Sequence, residues 1–410
     1  MTDGGVRFLD DVRVLEIANL APTQLAMHLA DLGADVIKIE PPQRGDATRL
    51  IGLRPGYTDS GLHRRWNRGK KSLALDTTTP AGVDILRRLI SEVDVMIEGL
   101  RPGTMEKMGL GWSDITALKP DIVMVALSGY GQAGPYRDLP SHGIGFDAVS
   151  GLAVVEDDEL GRPTVPPRHV NLGTNLAPLF GATAVLAALS WSRRTGRPVL
   201  LDVAQADAAA FANLAIEDQA AEQRAIAAGS VTFPPAAPQV GAGAQVQRPT
   251  MQAYRTRDGR LLLLMALERK FFVRLAEAVG RPDLLEHVRD QYLTTASKEV
   301  DDAMIDILSS KDLSEWMEIF AAADVPVVPV NESSQVLEDS HLSTRIEWLD
   351  ADQGTVTMKT PVHSEPSIAS PRQAPAIGQD TAEILASIGI DRAEIDRLAG
   401  VGVIQLAPEV

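Results

Sequence analysis

The chain has 410 residues, a hydrophobic content of 45% and a formal net charge of −16, a length suited to two or three domains with real cores. The acidic balance argues against nucleic acid as a partner. With no cysteine, disulfides and thiolate chemistry are excluded, and the seven histidines form no H-x-x-x-H pair, so no metal centre is expected. The N-terminal MTDGGVRFLDD lacks a basic-then-apolar signal, and no 18-residue run is apolar throughout and free of helix breakers, so a cytoplasmic protein off the membrane is expected.

Residues 12–40 read as strand, turn, helix, strand. Val12 to Ile17 alternates and is β-rich, Thr23 to Leu32 carries apolar residues at helical spacing, Gly33 ends that helix, and Val36 to Ile39 is the second strand. The turn of this βαβ unit, Ala18 to Pro22, lacks the G-x-G-x-x-G fingerprint of dinucleotide sites. Residues 49–71 are locally basic, with Arg49, Arg54, Arg64, Arg65, Arg68, Lys70 and Lys71 against one acid, Asp59. They read either as a solvated loop or as a platform for a polyphosphate or adenine nucleotide, whose oxygens Arg and Lys pair with. Further strands are expected at 73–75, 93–97 and 122–127, and helices at 81–90, to Met108 and at 113–118. Gly129 to Gly134 matches G-x-G-x-x-G, but Pro135 and the residues after it give no helix to hold a pyrophosphate. Strands and helices alternate through the first ~200 residues, which predicts an α/β fold with a largely parallel, doubly wound sheet.

Residues 139–202 hold a Gly-rich turn with His142 and Asp147, a polar loop ending in His169 to Asn175, and an apolar helix from Leu176 to Trp191. A polar turn opening onto a buried helix presents free N–H groups suited to small-molecule chemistry. A long Ala-rich helix is expected at 204–228, and a mobile loop at 229–250 that includes Gly241 to Gln245. Two strands, at 251–256 and 260–265, and helices at 270–279, 284–290, 300–308 and 313–322 make a smaller α+β domain. Val325 to Val330 is a Pro-punctuated return crossing. A helix, two short strands, the Pro-rich stretch 361–375 and a final helix at 381–388 follow. The expected organisation is a large domain over 1–203, a linker helix over 204–228, a small domain over 229–325, and a linker with a C-terminal part returning to the large domain over 326–410.

An ordered set of motifs carries a family resemblance. Leu9 to Glu16, Leu32 to Glu40, Gly45-Asp46 with Arg49, Asn67 to Asp76, Arg101 to Gly111, Leu127 to Asp138, Arg194 to Gly196, Val325 to Val330 and Gly378 to Leu385 resemble the family III CoA-transferases, the CaiB/BaiF family. The resemblance implies a Rossmann-like large domain built from both chain ends, a small domain from the middle, and two chains threaded as an interlocked dimer, either homodimer or heterodimer. It implies coenzyme A, as acyl-CoA, for a substrate, with a carboxylic acid as the second one. Coenzyme A would lie near Asn19, Leu20 and Ala21, near Asn67, Arg68, Gly69 and Lys70, and near Leu100, Arg101 and Lys107. An Arg that the family often carries after its second strand is Pro41 here.

These transferases resemble one another most in an aspartate that attacks the thioester, since a carboxylate is a competent nucleophile at neutral pH. It lies about 22 residues before the Gly of the Arg-Thr-Gly signature, which here lands on Thr174, between Gly173 and Asn175. The nucleophilic Asp is thus absent, and Thr174 and Asn175 occupy its place. The family also includes α-methylacyl-CoA racemases. His142 and Glu268 match their His–Glu pair, in which a carboxylate orients the imidazole and raises its basicity. Three readings follow: a transferase subunit paired with a homologous Asp-bearing subunit, a racemase-like enzyme using His142 and Glu268, and a non-catalytic acyl-CoA-binding protein.

Overall fold

The computed structural model describes residues 5–52, 59–166, 168–229, 249–287, 298–350 and 356–407. In chain order, β1 (Arg13–Ile17), α1 (Thr23–Asp31) and β2 (Asp35–Glu40) form the expected βαβ unit. A 3₁₀ turn at Ala47–Leu50 leads to α2 (Gly61–Asn67), a helix inside the basic stretch that the charge pattern hid. Ser60 starts α2 by accepting a hydrogen bond from the His63 N–H, at 3.1 Å. Then come β3 (Lys70–Leu75), α3 (Pro80–Ser91), β4 (Val95–Glu98), α4 (Thr104–Lys107), α5 (Trp112–Leu118), β5 (Val123–Ser128) and α6 (Ile144–Val149). A small hairpin of β6 (Glu156–Asp157) and β7 (Pro163–Thr164) precedes α7 (Leu172–Thr195), which ends on Gly196 in the left-handed region.

After β8 (Val199–Ala204), the single helix expected at 204–228 is two, α8 (Gln205–Ala212) and α9 (Ala215–Ala227), parted at Asn213. Next are β9 (Met251–Arg255), β10 (Leu261–Met265), α10 (Arg269–Ala278), α11 (Lys298–Leu308), α12 (Leu313–Ala322), β11 (Val327–Pro329) and α13 (Leu342–Arg345). The helix expected at 284–290 is a 3₁₀ turn over Pro282–His287 where it is described. The expected mobile loop with Gly241 to Gln245 lies outside the described residues. The hairpin of β12 (Trp348–Asp350) and β13 (Val356–Met358) is followed by α14 (Thr381–Ser387), then by α15 (Arg392–Gly400) and β14 (Ile404–Gln405), two elements beyond the helix expected to be last.

The chain divides into two compact units, Met1–Ile216 with Ile346–Val410, and Glu217–Arg345. These divisions differ from the expected 203 and 325. α8 stays with the large unit because it packs on α7, and β11 stays with the small one because it pairs with β10. The small unit holds the antiparallel sheet β11-β10-β9 with its own core around Leu262, Phe272, Met304, Trp316 and Phe320.

The large unit holds a seven-stranded sheet in the order β14-β3-β2-β1-β4-β5-β8. All its pairs are parallel except β14 on β3. Alternation splits each strand between two faces. Val14, Val36, Val95 and Val125 meet α1 and α7 on one side. Leu15, Ile37, Met96 and Met124 meet α3, α5, α14 and α15 on the other. α7 has 24 residues and is long and apolar enough to cross a membrane by length and composition. Half of its apolar window is buried, with Ala182, Val185 and Leu189 in the sheet's core. Strand order reverses between β1 and β4, whose crossovers leave in opposite directions, and such a reversal opens a crevice at the carboxyl ends of the strands.

Candidate functional site

That crevice is a cavity of about 640 Å³. Its walls are the β1–α1 turn, the turns after β4 and β5, α2, the start of α6, and the starts of α7 and α8. Gly99 lets the first two turns close together: a Cβ there would come within 2.7 Å of Pro22 and 2.9 Å of Ala18. Leu20 stands at φ +61°, a backbone state costly for a leucine. It is held by the Asp46 carboxylate, which accepts the Leu20 N–H at 3.3 Å, and by Thr23 Oγ1, which donates to the Leu20 carbonyl at 2.7 Å.

Beneath this turn lies a buried ion network. In the sheet register Glu16 pairs with Lys38, and Lys38 with Ser72, all on the α1 face. Lys38 Nζ reaches Glu16 at 3.0 Å, Asp46 at 2.7 Å and the Ala18 carbonyl at 2.9 Å. Lys70 Nζ reaches Glu16 at 2.6 Å, the Thr23 carbonyl at 2.7 Å and Asn67 Oδ1 at 3.0 Å. Arg49 makes a two-pronged contact with Glu40 at 2.7 and 3.0 Å. Burial would push Glu40 up, but the hydrogen bonds and charge of Arg49 hold it at about 2. Lys38 likewise overcomes burial to hold Asp46 at about 2. Burial lowers Lys70 to about 8 despite Glu16. His63, buried against Thr48 and Asn67, falls to about 3 and stays neutral.

The basic stretch is therefore largely framework. Arg68 is 4% exposed and locked on Asp31 at 2.5 and 2.8 Å, and Asn67 and Lys70 are fully buried on protein partners. Gly69, at φ +80°, packs against Ala30. The side chains of Asn67, Arg68 and Lys70 are thus engaged by protein partners. The missed signal was charge at alternate positions of apolar parallel strands: Glu16, Lys38, Glu40 and Lys70 face one another rather than solvent.

Seven of the expected residues do meet at the cavity: Asn19, Leu20, Ala21, Leu100, Arg101, His142 and Thr174. Lys107 is exposed on α4 and outside the lining. Asn175 is exposed, donating to the Asn171 carbonyl at 2.7 Å. Glu268 belongs to the small unit, as the residue before α10. Sequence reasoning missed Trp66, Tyr130, Arg137 and Gln205, which also line the cavity.

The floor is set by α7. Asp147, fully buried, accepts the Leu172 and Gly173 N–H groups at 2.8 and 2.9 Å and contacts His169 Nε2 at 2.8 Å. This carboxylate satisfies the free N–H groups that the sequence offered to a ligand. Thr174, one residue on, is 8% exposed, with Oγ1 unpartnered among the described residues. Among the described lining residues the one carboxylate is Asp138, whose side chain is 76% exposed and paired with Arg137 at 3.1 Å. No group of three or more metal-ligating side chains occurs among the described residues.

Comparison with known proteins places this architecture. The profile described as CoA-transferase family III matches residues 9–381. The chain belongs to CoA-transferase family III. It is 33% identical, over 95% of this chain and 91% of the other, to the succinyl-CoA–L-malate CoA-transferase alpha subunit of Chloroflexus aurantiacus. It is 29% identical, over 95% and 96%, to the human α-methylacyl-CoA racemase. Among solved structures it resembles the hypothetical protein Rv3272 of Mycobacterium tuberculosis, with a TM-score of 0.75 and 28% identity over 93% of this chain and 99% of that one. The floor of this cavity holds the buried Thr174.

Proposed function

We propose that the chain is a subunit of an acyl-CoA:carboxylate CoA-transferase whose nucleophilic carboxylate comes from a homologous partner subunit. The observation that carries this reading is Thr174: buried at the cavity floor, neutral, and, among the described lining residues, accompanied by no carboxylate except the exposed, Arg-paired Asp138. Coenzyme A would run along Asn19 to Ala21 and Leu100, with Arg101 beside its phosphates. The alpha-subunit relative supports a two-chain enzyme, and succinyl-CoA with a dicarboxylic acceptor is the substrate class it suggests. The face of α7 that leaves Leu179, Phe180, Leu186 and Trp191 exposed offers apolar surface for a second chain. Native mass spectrometry of protein purified from its own cells, with and without coenzyme A, tests the reading. A heterodimer of similar-sized chains supports it, and a homodimer overturns it. Thr174→Asp supplies the missing nucleophile: its carboxylate attacks the thioester carbonyl, the C–S bond breaks, and the CoA thiolate leaves a mixed anhydride behind. Thioester exchange above background is expected from this variant.

A second reading has its own support. His142 lines the same cavity, so a racemase-like proton abstraction by His142 is the alternative. Deuterium wash-in to a branched acyl-CoA, abolished by His142→Ala, would favour it. Coenzyme A binding without either activity would leave a non-catalytic acyl-CoA-binding protein.

A further inference from the structure

Two polar atoms inside the cavity have no hydrogen-bond partner among the described residues: Thr174 Oγ1 and Gln205 Oε1. Both residues line the cavity, and they are 8% and 5% exposed. Buried polar atoms left unmet are costly, so their retention in a ligand cavity points to a group that meets them.

The backbone around the pair is fixed on every side. Asp147 holds the N–H groups of Leu172 and Gly173. Gln24 Nε2 donates to the Thr174 carbonyl at 3.1 Å. The Ala206 N–H donates to the Gly129 carbonyl at 3.0 Å, and Ser150 Oγ donates to the Ala206 carbonyl at 2.8 Å. The starts of α7 and α8 touch where residue 173 has no side chain: a Cβ there would lie 2.3 Å from the Gln205 carbonyl oxygen. Side chains on supports this rigid make a preorganised contact.

We propose that Thr174 and Gln205 form a subsite for a hydroxyl group on the acyl chain of a 2-hydroxyacyl-CoA thioester. The proposal deepens the CoA-transferase reading and rests on it. A threonine hydroxyl donates one hydrogen bond and an amide oxygen only accepts. A substrate hydroxyl accepts from Thr174 Oγ and donates to Gln205 Oε1, meeting both. With the amide turned over, the hydroxyl accepts from Gln205 and donates to Thr174 instead. In the amide orientation of the structure, a carboxylate or a carbonyl oxygen, which only accepts, leaves the Gln205 amide oxygen unmet. An ammonium is disfavoured by Arg101 and Arg137 in the same lining. Thr174 stands where the motif spacing puts the group that meets the thioester carbonyl, so the hydroxyl belongs on the adjacent carbon.

The test is calorimetric titration of the protein as purified from its own cells, with any partner it retains. The probes are lactoyl-CoA, propionyl-CoA, which differs by the one hydroxyl, and coenzyme A itself. Lactoyl-CoA is expected to bind about tenfold tighter than propionyl-CoA, the scale of a met against an unmet buried polar group. Thr174→Val and Gln205→Leu are each expected to bring that ratio towards one. Equal affinities in the wild type overturn the subsite and leave the CoA reading standing. A ratio kept by both variants overturns the assignment to these residues. Failure of all three probes to bind overturns the subsite and the CoA reading together.

Discussion

Replacing Lys38 with Met removes the centre of the buried network. Lys38 Nζ contacts Glu16, Asp46 and the Ala18 carbonyl, all within 3.0 Å, with side-chain exposure of 0% on both sides of each ion pair. Burial alone would drive its ammonium towards neutrality, but Glu16, Asp46 and Glu40 overcome that and raise its pKa. Without it Glu16 keeps Lys70, whereas Asp46 is left buried with no cation in contact. Removing one partner of a buried pair costs about 3–5 kcal/mol, most of it from the charge left behind. Lys38→Met is therefore expected to lower the unfolding free energy of the large unit by about that amount, read from urea denaturation followed by tryptophan fluorescence. Lys38→Met with Asp46→Asn should recover at least half, because the stranded charge is gone. A single variant within about 1 kcal/mol of wild type, or a double variant as weak as the summed singles, would refute the account.

The network also sets an acid limit. Glu40 and Asp46 titrate near 2 when folded, against 4.5 and 3.8 ordinarily, and His63 near 3 against 6.5. All three bind fewer protons folded than unfolded, so their stabilisation is complete above those ordinary values and is lost as pH falls through the folded ones. Unfolding free energy should decline steadily from pH 6.5 to about 2; a flat profile between pH 6 and 3 would contradict this. Glu98, at the end of β4, is the reverse case: burial raises it to about 7, even though it accepts the Leu100 N–H at 2.9 Å. Its contribution is complete below pH 4.5 and lost as pH rises through 7, so Glu98→Gln should stabilise the fold at pH 8–9 and change little at pH 4, measured by thermal melting. Gly173→Ala should force α7 and α8 apart at a cost of about 1–3 kcal/mol and weaken coenzyme A binding; a crystal structure with α8 unmoved would count against it.

Periodicity made the large sheet legible. Val12–Ile17, Val36–Ile39 and the helix after Pro22 are local patterns, and each appears close to its expected bounds. What failed depends on partners distant in sequence. Lys70 and Arg68 look like solvent-facing cations until Glu16 and Asp31 arrive from the first strand and helix. Asp147 stands in a Gly-rich turn whose sequence does not announce that its oxygens are occupied by the start of α7. Gln205 carries no motif at all, and only the fold brings it to the cavity that holds His142 and Thr174.

The antiparallel pairing of β14 with β3 has a consequence for synthesis. The core under α14 and α15 includes Leu73, Leu75 and Leu86, from the first quarter of the chain, and Ile384, Leu385 and Leu398, from its last. Arg372 clasps the Lys70 carbonyl and Asp380 accepts the Ser72 N–H, closing the same edge. On a ribosome at about 5–20 residues per second, the closing segment emerges roughly 10–40 s after residue 216. For that interval β3 is an open sheet edge over an uncovered apolar face, the condition that invites pairing with other chains. The small unit is continuous in sequence and can complete its own core first. The nascent large unit must wait, and a chaperone that shields its β3 edge would find its substrate in that interval.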